Sequence, residues 1–323
     1  MSVLLEVKDL TKKFPIKKSL FSKFGKSAKA VDRVSYTLNK GETLGIVGES
    51  GCGKTALGRT TIKLYDPTSG SILFNGTDIT NLDQEEMLDL RKEMQMIFKD
   101  PYQSLNPRMK VSQVVGEAID THYAYKGYEK KDEIENVLLM AGLEENYKDK
   151  YPHELSAVQR QKIGIARALA VDPSFIVCDD PASALDISVQ AQIINMLGEL
   201  QHELDLTYLF IASDLSMIKY IATHVGIMYL GRILEKAPTE EIYSNPQHPY
   251  TQALLSAMPT ADLMSAKNSN RIILRGDTPS LINQFVGCKF KDRCSMKKPI
   301  CSEQEPDLRL IGREHYVACF MIK

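Results

Sequence analysis

The sequence predicts an α/β protein with a mostly parallel sheet, a helical insertion and a small C-terminal extension. Short apolar runs such as TLGIV and SFIVCD have the length and composition of buried parallel strands. The segment DEIENVLLMAGL places apolar residues at helical spacing. Beyond about residue 236 prolines become frequent and four of the six cysteines follow, which predicts a domain boundary there.

Charge and apolar content limit the classes of function that we expect for this chain. The chain has 323 residues and a formal net charge of -1, so its charge gives no reason to expect nucleic-acid binding. The N-terminal MSVLLEVKDL lacks the apolar core of a signal peptide, and no stretch has the roughly 20 apolar residues of a membrane helix. We therefore expect a chain in the cytoplasm, free or docked on a membrane protein.

The segment GESGCGKT lies between the predicted strand TLGIV and the predicted helix KTALGRTTIKL. It satisfies G-x-x-x-x-G-K-[ST], in the strand-loop-helix context that a phosphate-binding loop requires. Backbone N–H groups of such a loop approach phosphate oxygens, the lysine neutralises β/γ charge, and the Thr hydroxyl ligates magnesium. The predicted nucleotide-binding residues here are Gly48, Ser50, Gly51, Cys52, Gly53, Lys54 and Thr55.

A carboxylate to hold Mg²⁺ is predicted at the end of the strand FIVCDD. Asp179 ends this apolar run, and an acid at a strand end complements a phosphate loop. With Thr55 it forms the predicted magnesium site of an ATP-binding protein.

Longer stretches carry a family resemblance. One stretch resembles the signature helix, acidic strand and following loop of ABC ATPases, whose usual sequences are LSGGQ, Asp-Glu and SALD. This stretch reads LSAVQRQKIGIARALAVDPSFIVCDDPASALD. FPIKK, IFKDPYQSLNPR, HPYTQALLSAMP and the cysteine-rich tail resemble the oligopeptide and dipeptide importer subfamily. The resemblance covers nearly the whole chain.

The resemblance implies a P-loop NTPase (RecA-like) core over residues 1–90 and 156–236, a helical subdomain over 91–155 and a C-terminal extension over 237–323. It also implies head-to-tail dimerisation, in which each ATP lies between one subunit's phosphate loop and the other's signature. The residues expected to contact nucleotide are Ser156, Gln159 and Asp186, and Phe14 for adenine. For Phe14 a core role is equally compatible with the sequence, since aromatic residues usually fill cores.

Implied partners are a second ATPase subunit, two transmembrane permease subunits and an extracellular peptide-binding protein. The expected location is the cytoplasmic face of the membrane, as a peripheral subunit.

Four positions depart from the family pattern. Asp180 replaces the expected glutamate and is one methylene shorter, and a displacement of about 1 Å can reduce a rate about 100-fold. Ser213 stands in place of a histidine that contacts the γ-phosphate, and Lys99 in place of a glutamine. The signature reads LSAVQ, so Ala157 and Val158 replace both glycines. These changes predict intact nucleotide binding with slow or altered hydrolysis at the chain's own site.

The tail Cys288-x5-Cys294-x6-Cys301-x17-Cys319 offers four thiolates, the number that holds an iron–sulfur cluster or a tetrahedral zinc ion. The spacing matches neither ferredoxin runs nor zinc-finger pairs. By resemblance, this tail carries a [4Fe-4S] cluster in some importer subunits. Zinc and unliganded thiols remain the alternatives.

Together these observations predict an ATP-binding subunit of a peptide importer whose own site is slow or inactive, paired with a different ATPase subunit. The alternative is a non-hydrolysing structural or regulatory subunit of a heteromeric ABC complex. An importer of nickel or another small solute also stays open.

Overall fold

The computed structural model describes residues 2–16, 27–123, 128–258, 271–282 and 285–322. The strands are β1 (Val3–Pro15), β2 (Ser27–Asn39), β3 (Thr43–Val47), β4 (Ser69–Phe74), β5 (Thr77–Asp78), β6 (Met94–Ile97), β7 (Phe175–Asp179), β8 (Thr207–Ala212), β9 (His224–Tyr229), β10 (Arg232–Pro238), β11 (Arg309–Gly312) and β12 (His315–Val317). The helices are α1 (Lys54–Thr61), α2 (Leu88–Glu93), α3 (Pro101–Ser104), α4 (Val111–His122), α5 (Tyr128–Met140), α6 (Ala157–Leu169), α7 (Ile187–Leu204), α8 (Leu215–Ile221), α9 (Thr239–Ser244), α10 (Pro249–Ser256) and α11 (Ile300–Glu303).

The chain forms two compact units. The signature unit comprises Met1–Leu5, Leu38–Thr43 and Phe74–Ile211. The loop unit comprises Glu6–Thr37, Leu44–Leu73 and Ala212–Lys323. Among the described residues, no helix is both long and apolar enough to cross a membrane.

The loop unit contains a sheet in the order β11-β12-β10-β9-β3. β3 pairs in parallel with β9, and β9 pairs antiparallel with β10. Every residue of β3 is buried, as expected for a parallel strand covered on both faces. β3 leads directly into the phosphate-loop segment and then α1, so this strand fixes where the loop begins.

The signature unit contains the parallel strands β8, β7 and β6 in that order, with α4 and α5 packed against α6. α6 begins at a capping box: the Ser156 hydroxyl accepts from the Gln159 backbone N–H at 3.3 Å, and the Gln159 side chain accepts from the Ser156 N–H at 2.9 Å. This reciprocal pair satisfies two backbone donors that the first turn leaves unpaired.

The segment predicted as helical insertion contains one strand that the sequence reasoning did not separate, β6. Its four residues, MQMI, pair in parallel with β7. A run this short has too few residues for periodicity to distinguish a strand from a helix. Further along the chain, the predicted helix DEIENVLLMAGL agrees with α5, and the signature helix agrees with α6.

The C-terminal residues are integrated into the loop unit rather than trailing from it. β12 adds to the sheet beside β10, with Glu235 opposite Val317. A buried ion pair of 2.6 Å joins Lys289 to Asp32, and Lys289 also donates to the Leu230 carbonyl at 2.9 Å. Burial raises the pKa of Asp32, but the hydrogen bonds and charges of Lys289 and Lys29 together outweigh it, so the pKa lies below its usual value.

We expect Lys289→Met to lower the free energy of unfolding by about 3 kcal/mol at neutral pH, because it removes the buried cation of Asp32 and leaves only the exposed Lys29 and Arg33 beside the carboxylate. This loss of stability is fully present at pH values above the ordinary aspartate pKa. It shrinks as the pH falls through the lowered pKa of Asp32 in the folded protein, since protonated Asp32 needs no cation. Urea titrations at several pH values measure it. Lys297→Met, which removes an exposed pair with Asp292, is the control, with an expected change below about 0.5 kcal/mol. Equal effects of the two substitutions would contradict the assignment.

Candidate functional site

The predicted phosphate loop curls around the ammonium group of Lys54. Lys54 Nζ donates to the carbonyl of Gly48 at 2.6 Å and to that of Glu49 at 3.0 Å. Because Lys54 is the first residue of α1, its charge and the N-terminal end of the helix lie at the same place. This arrangement suits a phosphate group, which takes backbone N–H donors together with a cation.

Two positions of the loop admit only glycine. A Cβ atom on Gly48 would lie 2.0 Å from the Met228 carbonyl oxygen, and one on Gly53 would lie 1.9 Å from the Ala30 carbonyl oxygen. Gly53 also has a φ of 111°, which side chains disfavour. The glycines therefore let the loop pack directly on neighbouring backbone.

The remaining loop residues differ in exposure. Ser50 and Gly51 are exposed, Thr55 is half-buried in the first turn of α1, and Cys52 is fully buried. Burial raises the pKa of the Cys52 thiol, so this cysteine is held as an unreactive thiol within the loop.

Glu49 is anchored by the C-terminal part of the chain, a feature that the sequence reasoning missed. Arg293 Nη1 donates to both carboxylate oxygens of Glu49, at 2.9 and 2.8 Å, and the Thr278 hydroxyl donates to the same carboxylate. The Glu49 backbone N–H donates to the Tyr250 hydroxyl at 3.1 Å. Tyr250 lies in the HPYTQALL stretch, but no spacing rule links residues more than 200 positions apart.

Phe14 is half-buried near the end of β1. Its ring meets that of Tyr65 edge to face, with 5.3 Å between centroids. Lys12 Nζ lies 5.2 Å from the Phe14 ring centroid. The contacts suit an adenine-stacking ring and a packing residue equally, so both interpretations of Phe14 remain.

Ser213 follows β8 in the loop unit and is exposed. The next residue, Asp214, caps α8 by accepting from the Ser216 N–H at 2.8 Å. Ser213, which stands in place of the family's histidine, therefore lies next to the cap residue of α8.

In the signature unit, two of the four departures contact each other. Asp179 and Asp180 are both buried at the end of β7, and Lys99 Nζ lies 2.8 Å from Asp180 Oδ2. Asp180 has a positive φ of 50°, and its N–H donates to the Ile211 carbonyl at 2.8 Å. The lysine that replaces glutamine thus pairs with the aspartate that replaces glutamate.

The signature residues Ser156 and Gln159 form the cap of α6 described above. The Gln159 amide also donates to the Tyr147 hydroxyl at 2.8 Å. Ala157 is exposed and Val158 is half-buried. The two side chains that replace the signature glycines therefore lie at the surface, in the first turn of α6. Asp186 is exposed immediately before α7.

The four tail cysteines are free thiols in one region of the loop unit. Cys288 and Cys301 are buried, and the Cys288 N–H donates to the Cys301 carbonyl at 2.8 Å. Burial, with smaller effects from the other thiols, raises the pKa of Cys288 to about 11. Among the described residues, no three His, Cys, Asp or Glu side chains converge closely enough to hold a metal ion. The thiols as arranged therefore do not form a preassembled metal site.

Comparison with known proteins identifies the family. Residues 31–183 match the ABC transporter family model, and residues 234–301 match the oligopeptide/dipeptide transporter C-terminal region. The chain is 49% identical to the oligopeptide transport ATP-binding protein AppF of Bacillus subtilis, over 98% of this chain and 97% of that protein. It is 44% identical to the dipeptide transport ATP-binding protein DppF of Haemophilus influenzae, over 99% and 97%.

Solved structures give the same fold. The ATP-binding cassette MJ0796, solved as a dimer bound to ADP and Pi, matches with a TM-score of 0.65 and 25% identity, covering 73% of this chain and 99% of that one. CbiO1 from Clostridium perfringens, part of an ABC transporter complex, matches with a TM-score of 0.64 and 26% identity, covering 76% and 92%. The α/β, P-loop NTPase core predicted from the sequence is therefore confirmed. The chain belongs to the ATP-binding proteins of ABC transporters, in the group that carries the oligopeptide/dipeptide transporter C-terminal region.

Proposed function

We propose that this chain is the ATP-binding subunit of an importer of oligopeptides or dipeptides. The observation that carries the proposal is the loop wrapped around Lys54, with glycines where no Cβ fits. Its relatives are named for oligopeptide and dipeptide transport, which supplies the substrate class. ATP with Mg²⁺ is the bound nucleotide, with Thr55 and Asp179 as the residues that suit the cation.

The rest of the assembly follows from that function. Two transmembrane permease subunits would carry the peptide, and an extracellular peptide-binding protein would deliver it. The chain would act as a peripheral subunit on the cytoplasmic face of the membrane. In functional terms we assign nucleotide binding to residues 1–90 and 156–236, coupling to the helical segment 91–155, and a supporting role to 237–323.

We further propose that hydrolysis at this chain's own site is slow. The support is the Lys99–Asp180 pair: a carboxylate already bound to an ammonium group is a weaker base for an attacking water. Asp180 is also shorter than glutamate, and Ser213 offers no imidazole. The altered signature at Ala157 and Val158 weakens the site that a partner's loop would complete. A second, different ATPase subunit with intact residues is therefore the partner we propose.

Lys54→Ala should weaken ATP binding about 100-fold, because it removes the cation that the loop surrounds. Equilibrium titration of the full-length chain with a fluorescent ATP analogue and Mg²⁺ measures this. Lys8→Ala removes an exposed lysine of β1 and should leave the affinity unchanged. Unaltered binding by Lys54→Ala would remove the nucleotide-site assignment.

The triple variant Lys99→Gln, Asp180→Glu, Ser213→His should raise ATP turnover of the assembled transporter at least about 10-fold, since a positioned general base and γ-phosphate contact are restored. Lys131→Gln is the matched control, because it breaks an ion pair with Glu135 and its lysine is exposed to a similar degree. A triple variant within twofold of the unmodified transporter would show that these positions do not limit hydrolysis.

For the tail we propose a [4Fe-4S] cluster that forms only when the four cysteines draw together, because the thiols as arranged do not form a preassembled metal site. Protein purified without oxygen should then contain about four iron atoms and four sulfides per chain. Ligation requires thiolates, so reconstitution should improve as pH rises toward the Cys288 pKa of about 11.

Cys294→Ser should abolish the iron content, whereas Cys178→Ala, outside the tail, should not. One zinc ion per chain, or neither metal, would overturn the cluster in favour of the two alternatives.

A further inference from the structure

Glu49 is held through three separate groups, two of which bind residues of the C-terminal extension. Its carbonyl accepts from Lys54 Nζ at 3.0 Å, its N–H donates to the Tyr250 hydroxyl at 3.1 Å, and its carboxylate takes both bonds from Arg293. All of these residues belong to the loop unit. One loop residue is thus held on three sides.

The Arg293 side chain is buried for this contact. It is only 9% exposed, and the Glu49 side chain is 24% exposed. The Arg293 guanidinium also donates to the Thr278 hydroxyl at 3.3 Å and lies 6.0 Å from the Tyr229 ring centroid. The guanidinium is therefore committed to Glu49 and is not a free surface charge.

The contact addresses an electrostatic problem of the loop. Glu49 is an acid inside a segment that must accept the polyphosphate of ATP, and an unpaired carboxylate there would repel it. A guanidinium nitrogen that donates to both carboxylate oxygens neutralises the acid and fixes its orientation. Since the same residue presents its carbonyl to Lys54, its orientation bears on where the lysine points.

We propose that Arg293 is a positioning residue for ATP binding: through Glu49 it holds the phosphate loop in its binding shape and cancels the loop's negative charge. The C-terminal extension is then part of the nucleotide site without touching the nucleotide. This goes beyond the transport function proposed above, because it assigns a task to the extension in the binding step itself.

The test compares four variants of the full-length chain by equilibrium titration with a fluorescent ATP analogue and Mg²⁺. Arg293→Gln should weaken binding about tenfold, because it leaves the Glu49 carboxylate unpaired beside the phosphates. Arg293→Lys should stay within about threefold of the unmodified chain, since the contact uses a single nitrogen and lysine keeps the charge. Glu49→Gln should stay within about threefold of the unmodified chain, because its amide oxygen still accepts from Arg293. The double variant Glu49→Gln, Arg293→Gln should recover to within about threefold, as neither charge is left unpaired.

A purely structural role would give a different pattern. Both single variants would then weaken binding alike, and the double variant would be no better than Arg293→Gln. Either result overturns the proposal, as does Arg293→Gln binding within twofold of the unmodified chain. In the assembled transporter the expected signature is a raised KM for ATP with kcat unchanged.

Controls separate the effect from damage to the tail. Arg313→Gln changes an exposed arginine in the same extension and should bind ATP normally. The number of reactive thiols and the melting temperature without nucleotide should be unchanged in Arg293→Gln. Where that variant does not fold, Thr278→Val removes one hydroxyl from the Glu49 carboxylate and keeps the ion pair. It should weaken binding about threefold, and normal binding by Thr278→Val would then overturn the proposal.

Discussion

The contact on which the rest of the site depends is the wrapping of residues 48–53 around the Lys54 ammonium group. Two backbone carbonyls accept from it, so the lysine is held in place before any phosphate arrives. Such preorganisation reduces the ordering cost of binding. It requires the loop to lie directly on neighbouring backbone, where only glycine leaves enough room. The buried strand β3 delivers the loop, and α1 begins at the lysine itself.

The C-terminal extension belongs to the same arrangement. It contributes the strands β11 and β12 to the sheet of the loop unit, an ion pair to Asp32 and three groups that hold Glu49. Each connection buries polar or charged groups with a partner, which is the condition under which such groups are tolerated in an interior. The phosphate loop is therefore held by residues that lie far from it in the chain.

Lys99 and Asp180 both differ from the family pattern, and they form an ion pair with each other. A lysine in place of a neutral amide would leave a positive charge beside buried acids, and a 2.8 Å bond to Asp180 satisfies both. The two changes are thus physically compatible with each other, whatever their consequence for hydrolysis.

The sequence by itself determined the class of fold, the position of the phosphate loop, the helices α5 and α6 and the family, because these depend on local periodicity and on motifs within a few tens of residues. It did not determine β6, whose four residues are too few for a period, nor the Lys99–Asp180 and Glu49–Arg293 contacts. Those join residues 81 and 244 positions apart. Only the tertiary structure decided them, because the pairing of two charges depends on where the folded backbone brings them, and charges that far apart in the chain carry no local signal of each other.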